Sequence, residues 1–203
     1  ITSAASASVS ENQTAALDVD ATDADGDTLT YSLSGTDAAL FNINAATGVV
    51  TFRTAPDFEN PADADGDNVY DIFVNANDGR TRTIQNVTIT VTNGNDNVPV
   101  ITSAASASVT ENQTAALDVD ASDTDGDTLT YSISGTDAAL FSIDAETGVV
   151  TFRTAPDFEA PADANGDNVY DLVVTASDGT NATNQSVQVT VTNVEERRVI
   201  DLT

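Results

Sequence analysis

The chain has 203 residues, room for one or two ordinary domains, and carries 33 acidic against 6 basic side chains for a formal charge of −27. That balance repels nucleic acid and anionic membrane surfaces and favours cations as partners, although an acidic surface also serves solubility. Cysteine, histidine, methionine and tryptophan are missing, so no disulfide staples the fold and no thiolate or imidazole offers itself to zinc, copper or iron. Carboxylates and carbonyls remain, and these are the ligands of hard cations.

Ile1-Thr2-Ser3 returns as Ile101-Thr102-Ser103, Glu11-Asn12-Gln13 as Glu111-Asn112-Gln113, and Thr51-Phe52-Arg53 as Thr151-Phe152-Arg153. The repeat has no insertion or deletion, and about three-quarters of paired positions are identical. The expected organisation is therefore two domains, 1–98 and 99–203. The copies diverge most after Asp78 and Asp178, and completely at Gly94–Asn97 against Val194–Arg197.

In chain order, each copy begins with a strand over 5–9. Leu17-Asp18-Val19-Asp20-Ala21 alternates strictly, which predicts a strand with Leu17 and Val19 inward and the aspartates outward. Residues 29–33 read as a strand with Tyr31 and Leu33 inward. Asp37–Leu40 supports one helical turn at most. Phe41–Ile43 and Val49–Phe52 read as a hairpin turned at Gly48. Two further strands follow, 69–76 and 87–91. Phe41, Phe52, Tyr31 and Tyr70 are the expected core aromatics. About seven short antiparallel strands per copy predict an all-β fold: two tandem seven-stranded Greek-key sandwiches of immunoglobulin-like type, without the cysteine and tryptophan signature of true immunoglobulin domains. No apolar run is long enough to span a membrane. The start shows no signal-peptide pattern and suggests a fragment of a longer chain.

The acids concentrate in loops and strand ends. They sit at Glu11 (Glu111), at Asp23-Ala24-Asp25-Gly26-Asp27 (Asp123–Asp127), at Asp57-Phe58-Glu59 (Asp157–Glu159), and at Asp78-Gly79 (Asp178-Gly179). A further run, Asp63, Asp65 and Asp67, recurs as Asp163, Asn165 and Asp167. Between the copies lies Asn93-Gly94-Asn95-Asp96-Asn97-Val98-Pro99. Two like charges about 4 Å apart repel by roughly 4 kcal/mol at an effective dielectric of 20, so such crowding calls for a counter-ion. Calcium, which accepts about six to eight oxygens in flexible geometry, suits this set better than magnesium. An EF-hand is excluded by position: counted from Asp63, the glycine and glutamate of that loop fall on Asn68 and Val74.

Taken together, Glu11-Asn12, Asp23-Ala24-Asp25, Asp57-Phe58-Glu59, Ala76-Asn77-Asp78-Gly79 and the 93–99 segment resemble the cadherin repeat, in its order and over nearly the whole of both copies. The Asp-Phe-Glu-x-Pro and Gly-Asp-Asn-x-Tyr variants are similar to repeats of large bacterial surface proteins and adhesins. The resemblance implies a calcium centre at the junction. Its ligands would be Glu11, Asp57 and Glu59 from the first copy, the Gly94 and Asn97 carbonyls, Asn95 and Asp96 from the junction, and Asp123, Asp125 and Asp178 from the second. It implies about three calcium ions, so that +6 faces seven carboxylates. Asn93 stands where the family usually has Asp. Glu111, Asp157 and Glu159 would be one half of a site, and Asp23, Asp25 and Asp78 the other half of another. Asp63, Asp65 and Asp67 lie outside the family set and read either as a solvated loop or as an extra metal site.

The function implied is a cell-surface, extracellular stalk or adhesin in which calcium between repeats stiffens the chain, with neighbouring repeats as partners. The alternative is a calcium-dependent module for carbohydrate (polysaccharide) or for adhesion to like repeats. Catalysis is not expected, because every close carboxylate pair has a metal role and no histidine or cysteine is present.

Overall fold

The computed structural model describes residues 1–195, so Glu196 and Arg197 of the second junction motif lie outside the described residues. Contacts divide the chain into two units, Ile1–Gly94 and Asn95–Thr203. The first contains β1 (Ser6–Ser10), β2 (Ala15–Asp18), β3 (Thr30–Ser34), β4 (Phe41–Ile43), β5 (Val49–Phe52), β6 (Val69–Asn77) and β7 (Arg82–Thr92), with a single 3-10 turn at Ala38–Leu40. They form a four-stranded sheet in the order β1-β7-β6-β3 and a three-stranded sheet in the order β2-β5-β4.

The two sheets close over one core. Phe41, Val50 and Phe52 of the smaller sheet, with Val19 just past β2, are buried against Tyr70, Ile72, Val74, Val87, Ile89 and Val91 of the larger. Tyr31 is buried as the alternation predicts. The rings of Phe41 and Phe52 lie 4.4 Å apart, and both meet Tyr70 edge-on at 5.8 and 5.2 Å, a geometry favoured by the ring quadrupoles. The β4–β5 hairpin turns at Gly48, whose φ is +81°. A Cβ there would lie 2.2 Å from the Val19 carbonyl oxygen, so only glycine fits.

The second unit repeats this plan with β9 (Ser106–Thr110), β10 (Ala115–Asp118), β12 (Thr130–Ser134), β13 (Phe141–Ile143), β14 (Val149–Phe152), β15 (Val169–Ser177) and β16 (Ala182–Thr192). It adds a short antiparallel pair, β8 (Val100–Ile101) with β11 (Ala121–Ser122). In both units the chain beside this point is tied by an amide, Thr2 or Thr102, donating to the Asp20 or Asp120 carbonyl at 2.8 Å.

One expectation needs correcting. The strands are not all antiparallel: β1 runs parallel to β7, Ser6 beside Thr88 and Ser10 beside Thr92, and β9 runs parallel to β16. Alternation of apolar and polar residues is the same for either direction, so the pattern carries no such information. The parallel pair means that each unit's chain enters at one end of the sandwich and leaves at the other. β7 also begins earlier than its apolar stretch, because Arg82–Asn86 pair with β6 through their backbone.

Candidate metal centre

At the exit end of the first unit, β1 hands over to Glu11, whose amide donates to the Thr92 carbonyl at 3.1 Å. Asn12 then adopts a left-handed conformation (φ 62°), which asparagine tolerates, and its amide donates to the Pro56 carbonyl at 2.9 Å. This turn points Glu11 inward, where it is 6 % exposed. Its Oε2 accepts the Phe58 amide and its Oε1 the Gly94 amide, both at 2.7 Å. One carboxylate thus ties the 57–59 loop to the end of its own unit. Around it, Glu11, Asp57 and Glu59 bring one oxygen each within 4.8 Å of the others.

The exit end of the second unit copies this frame. Glu111, 3 % exposed, accepts the Phe158 amide at 2.9 Å and the Val194 amide at 2.8 Å, and it groups with Asp157 and Glu159 in the same way. The Asn193 side-chain amide donates to Glu159 Oε1 at 2.5 Å.

At the entry end of the second unit, the junction segment folds onto the 123–127 loop. Asp125 Oδ2 accepts the amides of Asp96 and Asn97 at 3.0 and 2.8 Å, and its Oδ1 accepts Asn97 Nδ2 at 2.7 Å. Asp123 Oδ1 accepts the Asp125 amide at 3.0 Å, while its Oδ2 is enclosed and accepts no hydrogen bond. Asp178 Oδ1 accepts the amides of Thr180 (2.6 Å) and Asn181, and the Asp178 carbonyl accepts Asn95 Nδ2 at 3.4 Å. Asp123, Asp125 and Asp127 form another three-oxygen group within 4.8 Å.

The charges in this loop respond to one another. Burial pushes the Asp127 carboxyl up, helped by the charges of Asp123, Asp125 and Asp178. Burial alone would also raise Asp178, but the amides of Asn181 and Thr180 and the side chains of Asn181 and Asn95 hold it below the usual carboxylate range. An enclosed carboxylate oxygen without a donor, crowded acids and amide oxygens together fit a hard divalent cation of calcium's type.

The entry end of the first unit is looser. Asp23 Oδ1 accepts the amides of Asp25 and Asp27 at 2.9 and 3.1 Å. Asp78 accepts the amides of Thr81 and Arg80 and the Thr81 hydroxyl, which bring its carboxyl down to about 2. Among the described residues, Asp23, Asp25 and Asp78 form no three-oxygen group of the kind seen elsewhere.

Asp63, Asp65 and Asp67 do form one. Within it Asp63 is buried and accepts the amides of Gly66, Asp67 and Asn68 at 2.7, 2.9 and 3.3 Å. Burial raises Asp63, yet these amides bring it below the usual range, while hydrogen bonding to Asp63 and the charge of Asp67 raise Asp65. Asp63 therefore ties its own loop. Asp163 does the same for Asp167 and Asn168.

Sequence reasoning missed three residues. Asp37 and its counterpart Asp137 are buried carboxylates: Asp37 accepts the amides of Ala64 (3.0 Å) and Asp71 (2.7 Å), Asp137 those of Ala164 (2.9 Å) and Asp171 (2.8 Å). Asn181 follows the Asp178-Gly179 motif by two residues, and its amide reaches the junction segment. No sequence signal marks the aspartates, and Asn181 differs from its counterpart Thr81 only as one of many changes in that stretch.

The family model for the cadherin domain matches residues 105–194. Among curated proteins, no sequence match is found. Solved structures give the fold. The human protocadherin-24 EC1-2 structure superposes with a TM-score of 0.74 at 23 % identity, over 94 % of this chain and 95 % of that one. Mouse protocadherin-24 EC1-3 gives 0.71 at 23 % identity, over 96 % and 63 %. Drosophila N-cadherin EC1-4 gives 0.70 at 25 % identity, over 93 % and 47 %, so the chain spans less than half of that fragment. The cadherin family model thus falls on the second copy, and the first, identical to it at about three-quarters of paired positions, repeats its sandwich plan, so both units have the cadherin-like fold in tandem.

Proposed function

We propose that the two repeats share calcium at their junction and that the shared ions turn a flexible joint into a stiff one. Cadherin domains as a family bind calcium between repeats. Here, with the repeats taken as 1–98 and 99–203, the ligand set is Glu11, Asp57, Glu59, the Gly94 and Asn97 carbonyls, Asn95, Asp96, Asp123, Asp125 and Asp178, with about three ions to balance seven carboxylates. The observation that carries this reading is the three-carboxylate group of Glu11, Asp57 and Glu59 at the exit end of the first unit, matched by Asp125 gathering the junction amides at the entry end of the second.

The residues' part in it is electrostatic. Without a cation the acids repel across the joint; with one, oxygens from both repeats and the junction segment are drawn to the same charge. Because each unit's chain leaves at the end opposite to its entry, repeats in series extend a stalk away from a surface. Glu111, Asp157 and Glu159 then serve a following repeat, and Asp23, Asp25 and Asp78 a preceding one. We assign Asp63, Asp65 and Asp67 chiefly to holding their loop. Phe41, Phe52, Tyr31 and Tyr70 are core residues, which favours a stalk over an aromatic sugar platform. The setting is extracellular, on a bacterial surface or in an adhesin. Small-angle scattering with calcium and with chelator tests this: the maximum dimension should become longer and better defined with calcium, and identical profiles would refute stiffening.

A further inference from the structure

Asn181 places its side-chain amide among three oxygens of the ligand set proposed above. Its Nδ2 lies 3.3 Å from Asn95 Oδ1, 3.3 Å from the Asn97 carbonyl oxygen and 3.4 Å from Asp178 Oδ2. All three oxygens belong to the ligand set proposed above, and they come from two separate stretches of the second unit. An amide offers two N–H hydrogens, so three acceptors share them, and each contact is long compared with the usual ~2.9–3.0 Å. Asn95 is itself oriented by its Nδ2 donating to the Asp178 carbonyl. Three oxygens converging on one donor form a small cation-like cradle, filled by a tethered side chain.

We infer that Asn181 is a built-in competitor for calcium at the entry end of the second repeat, a positioning residue that keeps these oxygens gathered when no ion is bound and yields its place when one arrives. The inference rests on the calcium reading above. Its sign follows from linkage: an interaction present only in the ion-free state stabilises that state and weakens binding by the same amount. Asn181 therefore raises the calcium concentration at which the last ion enters. It also prevents the three oxygens from repelling one another or trapping water in the ion-free state. In the first repeat Thr81 fills the position, and its hydroxyl donates to Asp78 Oδ2 at 2.7 Å, the equivalent of one of the three Asn181 contacts.

The test uses the whole 1–203 chain and calcium alone. Asn181→Ala and Asn181→Leu, neither of which offers a side-chain donor, are titrated by calorimetry beside the parent. The weakest of the bound ions should bind about fivefold more tightly in both variants, the change that one ordinary hydrogen bond corresponds to, with the ion number unchanged. In the parent, the Asn181 side-chain NH2 resonances should move sharply on the titration step of that ion, a response that a merely structural amide would not give. Weaker binding in the variants, unchanged binding, or an NH2 signal indifferent to calcium would each overturn the inference. Failure of the parent itself to bind calcium would instead overturn the junction reading on which it stands.

Discussion

Loops 78–82 and 178–182 start from the same Asp-Gly pair and end in different chemistry. The first continues Arg80-Thr81-Arg82, two bases within four residues of Asp78 in the sequence; the second continues Thr180-Asn181-Ala182, with no base near Asp178 in the sequence. The exit ends differ in the same manner. Both keep the buried glutamate, Glu11 or Glu111, and its two backbone hydrogen bonds, but the sequence Gly94-Asn95-Asp96 becomes Val194-Glu195-Glu196. The comparison separates two layers of design. Carboxylates that hold the fold are the same in both copies, whereas the groups around the ends that the calcium proposal assigns to cation affinity vary from copy to copy.

The largest effect should come from the shared layer. Asp137→Ala leaves the Ala164 and Asp171 amides without their acceptor in a buried place, at a cost of about 3–5 kcal/mol to the second repeat. Urea unfolding should show the same loss with calcium and with chelator. A loss appearing only with calcium would move Asp137 into the variable layer. Next, Asp125→Ala should weaken calcium binding by roughly 10- to 100-fold, while Asp25→Ala in the first repeat leaves it nearly unchanged. Equal losses from the two would erase the distinction between the ends.

Glu11→Ala and Glu111→Ala sharpen the comparison further. Each removes an acceptor from two backbone amides and should cost about 1–3 kcal/mol in the calcium-free protein. Only Glu11→Ala should cost more once calcium is added, read from melting temperatures in both conditions. The smallest effect is acidic. Asp78 is held down to about 2 by the Thr81 and Arg80 donors, so its contribution is whole above the ordinary carboxylate value and disappears as pH falls toward 2. In chelator, Asp78→Asn should cost stability at neutral pH, where that contribution is whole, and converge with the parent as pH falls toward 2, so that the acid side of its profile is flatter between about pH 4 and 2. A variant that lost stability equally at pH 7 and pH 3 would show that the hydrogen bonds, not the charge, matter there.

Much of this was legible in the sequence. Alternation at Tyr31 and Leu33 and the Gly48 turn located strands because burial on one face imposes a period of two. Motif order grouped Glu11 with Asp57 and Glu59, and the fold brings their oxygens together. Other features depend on distances that no local pattern records. The direction of β1 against β7 leaves no trace in alternation. Asp37 looks like any loop acid until β6 closes over it, and Asp63 reads as a cluster member although its oxygens are engaged by its own loop. Asn181 acquires its role from Asn95, 86 residues earlier.

Calcium titration of the whole chain by calorimetry bears most directly on the central claim. The account predicts saturable binding of about three ions that Asp96→Ala and Asp125→Ala each reduce in number or affinity. A flat titration, or binding that both substitutions leave intact, would contradict it.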